Sequence, residues 1–138
     1  MVEVQKEEIE EKVEEYLNEF IRRKIDEKYS ELEEILTDPA VEEIEVCVGD
    51  FGIYLGSDVV GRELFFEFTP SEAYWKTTRA LAKEYPEHVN EILDMKLRYL
   101  YSDFFDHLED ILKEHGFGEI ELGSSADCFI FRKKNPEL

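Results

Sequence analysis

The chain has 138 residues, of which 35 are Asp or Glu and 16 are Lys or Arg, so its formal net charge is −19. A field of that sign repels nucleic acid and anionic membrane surfaces and favours cationic partners. Hydrophobic residues make up 43% of the chain and aromatic residues 13%, more than an intrinsically disordered acidic chain carries. No apolar run approaches the roughly 20 residues that cross a bilayer. We therefore expect a single cytoplasmic domain over residues 1–138, with no nucleic-acid or membrane partner.

The kind of acid is also informative. Glu outnumbers Asp by 26 to 9, and the chain holds one Gln and three Asn. Abundant Glu, Lys and Arg with few amides is typical of hyperthermophilic proteins. This composition predicts a thermophilic source, in which part of the charge serves thermal stability.

The first predicted element is a long amphipathic helix over residues 5–36. Its apolar residues recur at spacings of mostly three and four, as on one helix face. Ser30 and Glu33 match a capping box, which predicts a break near Ser30. Unbroken, the helix would extend about 48 Å. It would then either fold back or project toward a partner, for example in a coiled coil.

Five strands and two further helices follow. Residues 44–48 and 51–55 alternate around a Gly49-Asp50 loop, which pairs Val48 with Phe51 and puts Val46 opposite Ile53. A third strand covers residues 63–68. Thr69-Pro70 begins a helix that extends to about residue 85, and a second helix covers about 87–115 before the cap Gly116.

Residues 119–122 and 128–132 form the last two strands. The element order is α-β-β-β-α-α-β-β, and nearly every strand has one apolar face. The sequence therefore predicts an α+β fold, a two-layer sandwich with an antiparallel sheet of about five strands and helices on one face.

Cys47 and Cys128 both lie within strand-like runs. Two cysteines are too few for a disulfide scaffold, so we expect two small residues packed in the sheet. A disulfide, a metal site or a redox pair is the alternative.

Four polar side chains on the second long helix form the sharpest chemical constellation. Asp103, His107, Asp110 and Glu114 follow at steps of four, three and four residues, within a stripe about 60° wide. Carboxylate and imidazole ligands of this kind could bind a divalent metal, and His107 could act as a general acid or base. The stripe lies away from the apolar face of the helix, so a solvated polar surface is the stronger interpretation.

The outward face of the sheet is the second candidate site. It would carry aromatic residues beside acids, a mixture suited to a cationic and apolar segment or to a second subunit. Its predicted residues are Glu45, Cys47, Tyr54, Glu63, Phe65 and Glu67. Ordinary cross-strand packing, or cover from the first helix, is the competing interpretation.

In element order and size the chain is similar to the small acidic chaperones of bacterial type III secretion, which are α/β dimers. The doubled central helix and the missing C-terminal helix depart from their pattern, so no residue role is carried over. We expect a non-enzymatic acidic protein, homodimeric and without a cofactor, that binds a basic or exposed-hydrophobic protein segment as a chaperone or inhibitor does. The alternative is a metal-dependent enzyme with its carboxylate and histidine site on the 87–115 helix.

Overall fold

The computed structural model describes residues 3–81, 83–85, 89–123 and 125–134, with the side chains of residues 3–5 and 119 excepted. Their first helical region is divided into α1 (Glu3–Asp26) and α2 (Tyr29–Thr37). The capping-box prediction was wrong in detail, because Lys28 precedes α2 without a side-chain cap and Ser30 lies inside the helix. Leu32 and Ile35 of α2 join the same core as α1.

The five strands form one antiparallel sheet in the order β3-β2-β1-β5-β4. Their bounds are β1 (Glu43–Gly49), β2 (Gly52–Ser57), β3 (Leu64–Glu67), β4 (Phe117–Leu122) and β5 (Cys128–Lys133). Each half of the chain contributes a locally paired unit, and the β1–β5 ladder joins the two units. The α+β prediction, with an antiparallel sheet and helices, is confirmed.

The β1–β2 hairpin has a different register from the predicted one. Gly49 pairs with Gly52, so Asp50 and Phe51 form the turn, and Val46 lies opposite Leu55 rather than Ile53. Gly52 lies against the β3 backbone, where a Cβ atom would come within 1.9 Å of the Phe66 carbonyl oxygen. The pairing shifts by two residues, and because strand faces alternate with period two, the same side chains stay inward.

The later helical region contains α3 (Pro70–Leu81), α4 (Val89–Leu97) and α5 (Leu100–Glu114). The predicted start of α3 is confirmed, since the Glu72 amide donates to Thr69 Oγ1 at 3.2 Å. The predicted end of α3 near residue 85 was wrong, because α3 ends at Leu81. The predicted 87–115 helix is interrupted by a turn at residues 98 and 99, between α4 and α5. Residues 86–88 lie outside the described ranges. Gly116, with φ +91°, follows α5 as predicted.

The five helices formed by the described residues pack on one side of the sheet. The buried side chains form one cluster that draws on every helix and every strand. Its aromatic centre stacks Phe68 on Phe104 with ring centroids 4.5 Å apart. Over residues 6–26, the apolar face predicted for a coiled coil is largely buried in this cluster, because α1 packs against α3, α4 and α5 of its own chain.

Candidate functional site

The face of the sheet opposite the helices is uncovered by any of the described elements. Tyr54 remains 37% exposed and Phe65 41% exposed, because they alternate along their strands with buried residues. We call this surface the outer face. Its side chains are those of Glu43, Glu45, Cys47, Tyr54, Glu63, Phe65, Glu67, Glu121, Cys128, Ile130 and Arg132.

A largely apolar row crosses the outer face from strand to strand. The pairing register places Phe65 beside Tyr54, Tyr54 beside Cys47, and Cys47 beside Cys128. The two cysteines form a disulfide across the β1–β5 ladder, so the expectation of two unlinked cysteines was wrong. Ser125 Oγ donates a hydrogen bond to Cys128 Sγ at 3.3 Å, at that end of the row.

Carboxylates border this row on both sides. Tyr54 donates its hydroxyl to Glu63 at 2.6 Å, and that hydrogen bond, with burial and the nearby negative charge, raises the pKa of the Tyr54 phenol. Arg132 pairs with Glu43 at 3.1 Å and with Glu121 at 2.5 Å. Arg132 is the basic member of a face that carries five glutamates, so the outer face is negative.

A hollow of about 240 Å³ opens in the outer face beside Gly56, Tyr54 and Ile130. We call it the acidic hollow, lined by Glu43, Glu45, Tyr54, Gly56, Asp58 and Ile130. A Cβ atom on Gly56 would already approach the Tyr54 ring to 3.0 Å. Carboxylates beside an aromatic ring suit the head group of a lysine or arginine side chain.

All six side chains that the sequence assigned to the outward face lie on it. Sequence reasoning missed Glu43, Asp58 and Glu121, and it missed the hollow. Asp58 follows β2, where its carboxylate accepts the backbone amides of Glu42 and Glu43 at 3.0 and 3.1 Å. The β1–β5 pairing was the missing information, because it brings Arg132 and Ile130 beside β1.

The predicted stripe on α5 is divided, because Asp103 and His107 are half-buried beside α1 while Asp110 and Glu114 are exposed. Asp103 and His107 line a cleft of about 370 Å³ with Glu14, Asp106 and Lys96. The Lys96 ammonium binds Glu14 at 2.6 Å across this cleft. Burial and the charge of Asp106 raise the pKa of Asp103, against the opposing charges of His107 and Lys96.

The structure does not bring the four residues of the stripe together. Asp110 lines a separate cleft beside α1, which His107 also borders, while Glu114 is exposed. Within the described side chains, the group of three possible metal ligands lying within 4.8 Å of one another is Glu45, Cys47 and Cys128. It contains none of the four, and its two sulfurs are bonded to each other. The metal-dependent enzyme stays a prediction, and the described structure does not bring its four predicted ligands to one point.

Basic residues of α1 and α3 line a third cleft, of about 460 Å³. Lys24 and Lys76 both bind Glu72, at 2.8 and 3.2 Å, and Arg23 binds Glu19 at 2.6 Å. These cations therefore already have carboxylate partners within the chain.

No protein-family model, curated protein or solved structure matches the chain in the comparisons. The likeness to type III secretion chaperones thus rests on element order and size alone. In the described part of the chain, no helix is both long enough and apolar enough to pass through a membrane.

Proposed function

We propose that the protein is a non-enzymatic interaction protein that binds a basic, partly apolar segment of another protein on its outer face, as a chaperone or inhibitor would. The observation that carries the proposal is the acidic hollow, which opens beside exposed aromatic rings in an otherwise acidic face. Exposed apolar patches that are rimmed by polar residues often mark interaction sites.

The partner's chemistry follows from the two parts of the face. A lysine or arginine side chain entering the acidic hollow would lie among Glu43, Glu45 and Asp58, with its stem against Tyr54. Apolar side chains next to it would cover Tyr54 and Phe65, and burying such a side chain contributes about 1.5–3 kcal/mol. The surrounding negative charge would speed encounter with a basic partner more than it would raise affinity.

Homodimerisation, cytoplasmic location and a thermophilic source belong to the same proposal. Two outer faces placed against each other would oppose their carboxylates, so a homodimer would use another surface. The Cys47–Cys128 disulfide fits a cytoplasmic location only if the source is also thermophilic, since intracellular disulfides are common in hyperthermophiles and rare elsewhere.

The proposal predicts binding of a fluorescein-labelled octapeptide of alternating Val and Lys, measured by fluorescence anisotropy. In the double variant Glu43→Gln and Glu45→Gln, we expect the affinity to fall about tenfold, since two charges of the acidic hollow are lost. The matched control is Glu31→Gln with Glu33→Gln, which removes two exposed charges from α2.

The control double variant should change the affinity less than about twofold. An equal loss in both double variants would assign the binding to net charge and contradict a specific face. Absence of binding at about 1 mM peptide would reject the proposed function.

A further inference from the structure

Strand β4 forms one edge of the sheet, and its edge is exposed. Among the described strands, the order β3-β2-β1-β5-β4 gives β4 one partner, β5. Its sequence, Phe117–Leu122, contains neither lysine nor proline, but Glu119, Glu121 and a register shift between Phe117 and Glu119 protect part of the edge. Ile120 is 43% exposed and Leu122 is 74% exposed. These two residues are the apolar part of the edge that remains open to an added strand.

The ladder between β4 and β5 fixes which backbone groups face the open edge. The Gly123 amide donates to the Cys128 carbonyl oxygen at 2.9 Å, which makes this pair hydrogen-bonded. In an antiparallel ladder such pairs occur at every second residue. The N–H and C=O groups of residues 119 and 121 therefore point to β5, and those of Ile120 and Leu122 point away from it.

The same two residues present apolar side chains on the helix side of the sheet. Ile120 lies opposite Phe131, and Leu122 lies opposite Phe129. Phe105 of α5 packs on both of these phenylalanines, with centroid distances of 5.7 and 5.0 Å. We call this apolar strip, formed by Phe105, Ile120, Leu122 and Phe129, the edge shelf. Glu121, between the two exposed residues, points to the outer face.

We propose that the β4 edge binds an extended segment by strand addition, in which two apolar residues cover the edge shelf and a basic residue between them faces Glu121. Main-chain hydrogen bonds to Ile120 and Leu122 would supply affinity, and the alternation of side chains would supply specificity. The inference takes the basic and apolar character of the partner from the proposed function and adds a second contact site, at the sheet edge opposite the one that carries Phe65.

Electrostatic repulsion disfavours a second copy of the chain at the β4 edge. A symmetric β4–β4 pair centred on Glu121 would place two like charges directly opposite each other, which destabilises a strand pair. Each copy also carries a net charge of −19. A basic segment removes both penalties and can share Glu121 with Arg132.

The test uses Ile120→Pro and its matched control Ile120→Ala. Proline at this position removes an amide that points to the open edge and leaves the β4–β5 hydrogen bonds intact. Both substitutions remove the isoleucine side chain. We expect Ile120→Pro to weaken binding of the alternating Val and Lys octapeptide at least about tenfold more than Ile120→Ala does. A peptide of the same composition, with its valines and lysines in two blocks, should bind more weakly than the alternating one.

Amide hydrogen exchange on the unmodified protein keeps the test independent of how the variant folds. Saturating peptide should slow exchange at Ile120 and Leu122 more than at Glu121, whose amide already faces β5. Equal affinities of Ile120→Pro and Ile120→Ala, together with unchanged exchange at Ile120, would overturn the inference. So would a concentration-dependent dimer, measured by light scattering, that Ile120→Pro abolishes.

The two proposals fail separately. If the peptide binds and only the Glu43 and Glu45 double variant weakens it, the strand-addition inference is rejected and the proposed function stands. If only Ile120→Pro weakens it, the edge is the binding site and the outer face is not. A peptide that does not bind at all rejects both.

Discussion

Local sequence and tertiary packing act in opposite directions on the pKa of Asp103. This residue lies in the first turn of α5, where the helix dipole favours a negative charge. Packing of α1 over this turn removes water and adds the charge of Glu14, so burial and neighbouring acids raise the pKa of Asp103. A helical projection of α5 alone shows a solvated stripe, because it contains no information about α1.

We expect Asp103→Asn to gain stability relative to the unmodified protein as the pH rises. Because the pKa of Asp103 is higher in the folded than in the unfolded chain, the folded state holds more protons between the two values. The free energy of unfolding therefore falls as the pH rises from the ordinary aspartate pKa of 3.8 to the higher pKa of the folded state. Asp103→Asn has no carboxylate at this position, so it does not lose this stability. Urea unfolding at several pH values between about 3 and 7 measures the difference.

The matched control for this prediction is Asp94→Asn, which removes an exposed aspartate from α4. Its stability relative to the unmodified protein should vary less with pH than that of Asp103→Asn. A difference for Asp103→Asn that is constant with pH, or that shrinks as pH rises, would contradict the pKa direction.

At the scale of whole elements, the sequence predicts those features that depend on neighbours along the chain. Alternation locates β1 to β4, and Thr69 with Pro70 locates the start of α3, because each signal extends over a few residues. The β1–β5 ladder joins residues 81 positions apart at Cys47 and Cys128, and no local pattern contains it. The disulfide and the acidic hollow depend on that ladder, so the sequence could not reveal them.

The register of the β1–β2 hairpin also depends on a contact that the local sequence does not contain. Gly49-Asp50 is a reasonable loop for two isolated strands. In the folded chain β3 lies against Gly52, and the Phe68 amide donates to the Phe51 carbonyl oxygen at 2.9 Å. These contacts with a third strand move the turn to Asp50 and Phe51.

We expect the Cys47–Cys128 disulfide to be a major source of stability, because it closes a loop of 81 residues in the unfolded chain. The chain-entropy model gives an upper bound of about 4.5 kcal/mol for such a loop, and native disulfides contribute about 2–4 kcal/mol. Reduction should therefore lower the denaturant midpoint clearly without changing the far-ultraviolet circular dichroism of the folded protein. Guanidinium unfolding with and without dithiothreitol measures the effect.

The control for the disulfide is the double variant Cys47→Ala and Cys128→Ala. It should unfold near the midpoint of the reduced protein and should not respond to dithiothreitol. Equal midpoints of the oxidised and reduced protein would mean that the bridge adds no stability, and the β1–β5 ladder would then be held by its hydrogen bonds and packing.

Across the whole molecule, an acidic side chain can stabilise the fold through an ion pair only where a lysine or arginine is available to it. Ion pairs such as Arg132 with Glu121 and Lys96 with Glu14 follow the pattern of thermophilic surfaces. With 35 acids and 16 bases, at least 19 carboxylates lack a cation of their own. The exposed face of α1 even places Glu7, Glu11 and Glu15 four residues apart, a spacing at which like charges destabilise a helix.

We therefore expect moderate salt to stabilise the protein. The screening length is about 30 Å at 0.01 M ionic strength and about 8 Å at 0.15 M, so repulsion among the surplus carboxylates is weakened over this range. The thermal midpoint, measured by circular dichroism, should rise with sodium chloride. The triple variant Glu7→Gln, Glu11→Gln and Glu15→Gln should be more stable at low salt and should respond less to added salt.

The direction of the salt effect separates the two explanations of the charge. A midpoint that falls with salt would mean that attractive ion pairs dominate, and thermal adaptation would then account for the glutamates. A midpoint that rises means that the surplus costs stability, since self-repulsion opposes the compact state. Carboxylates that destabilise the fold and still border an open aromatic face are then better explained by a cationic partner, whose binding would relieve the same repulsion.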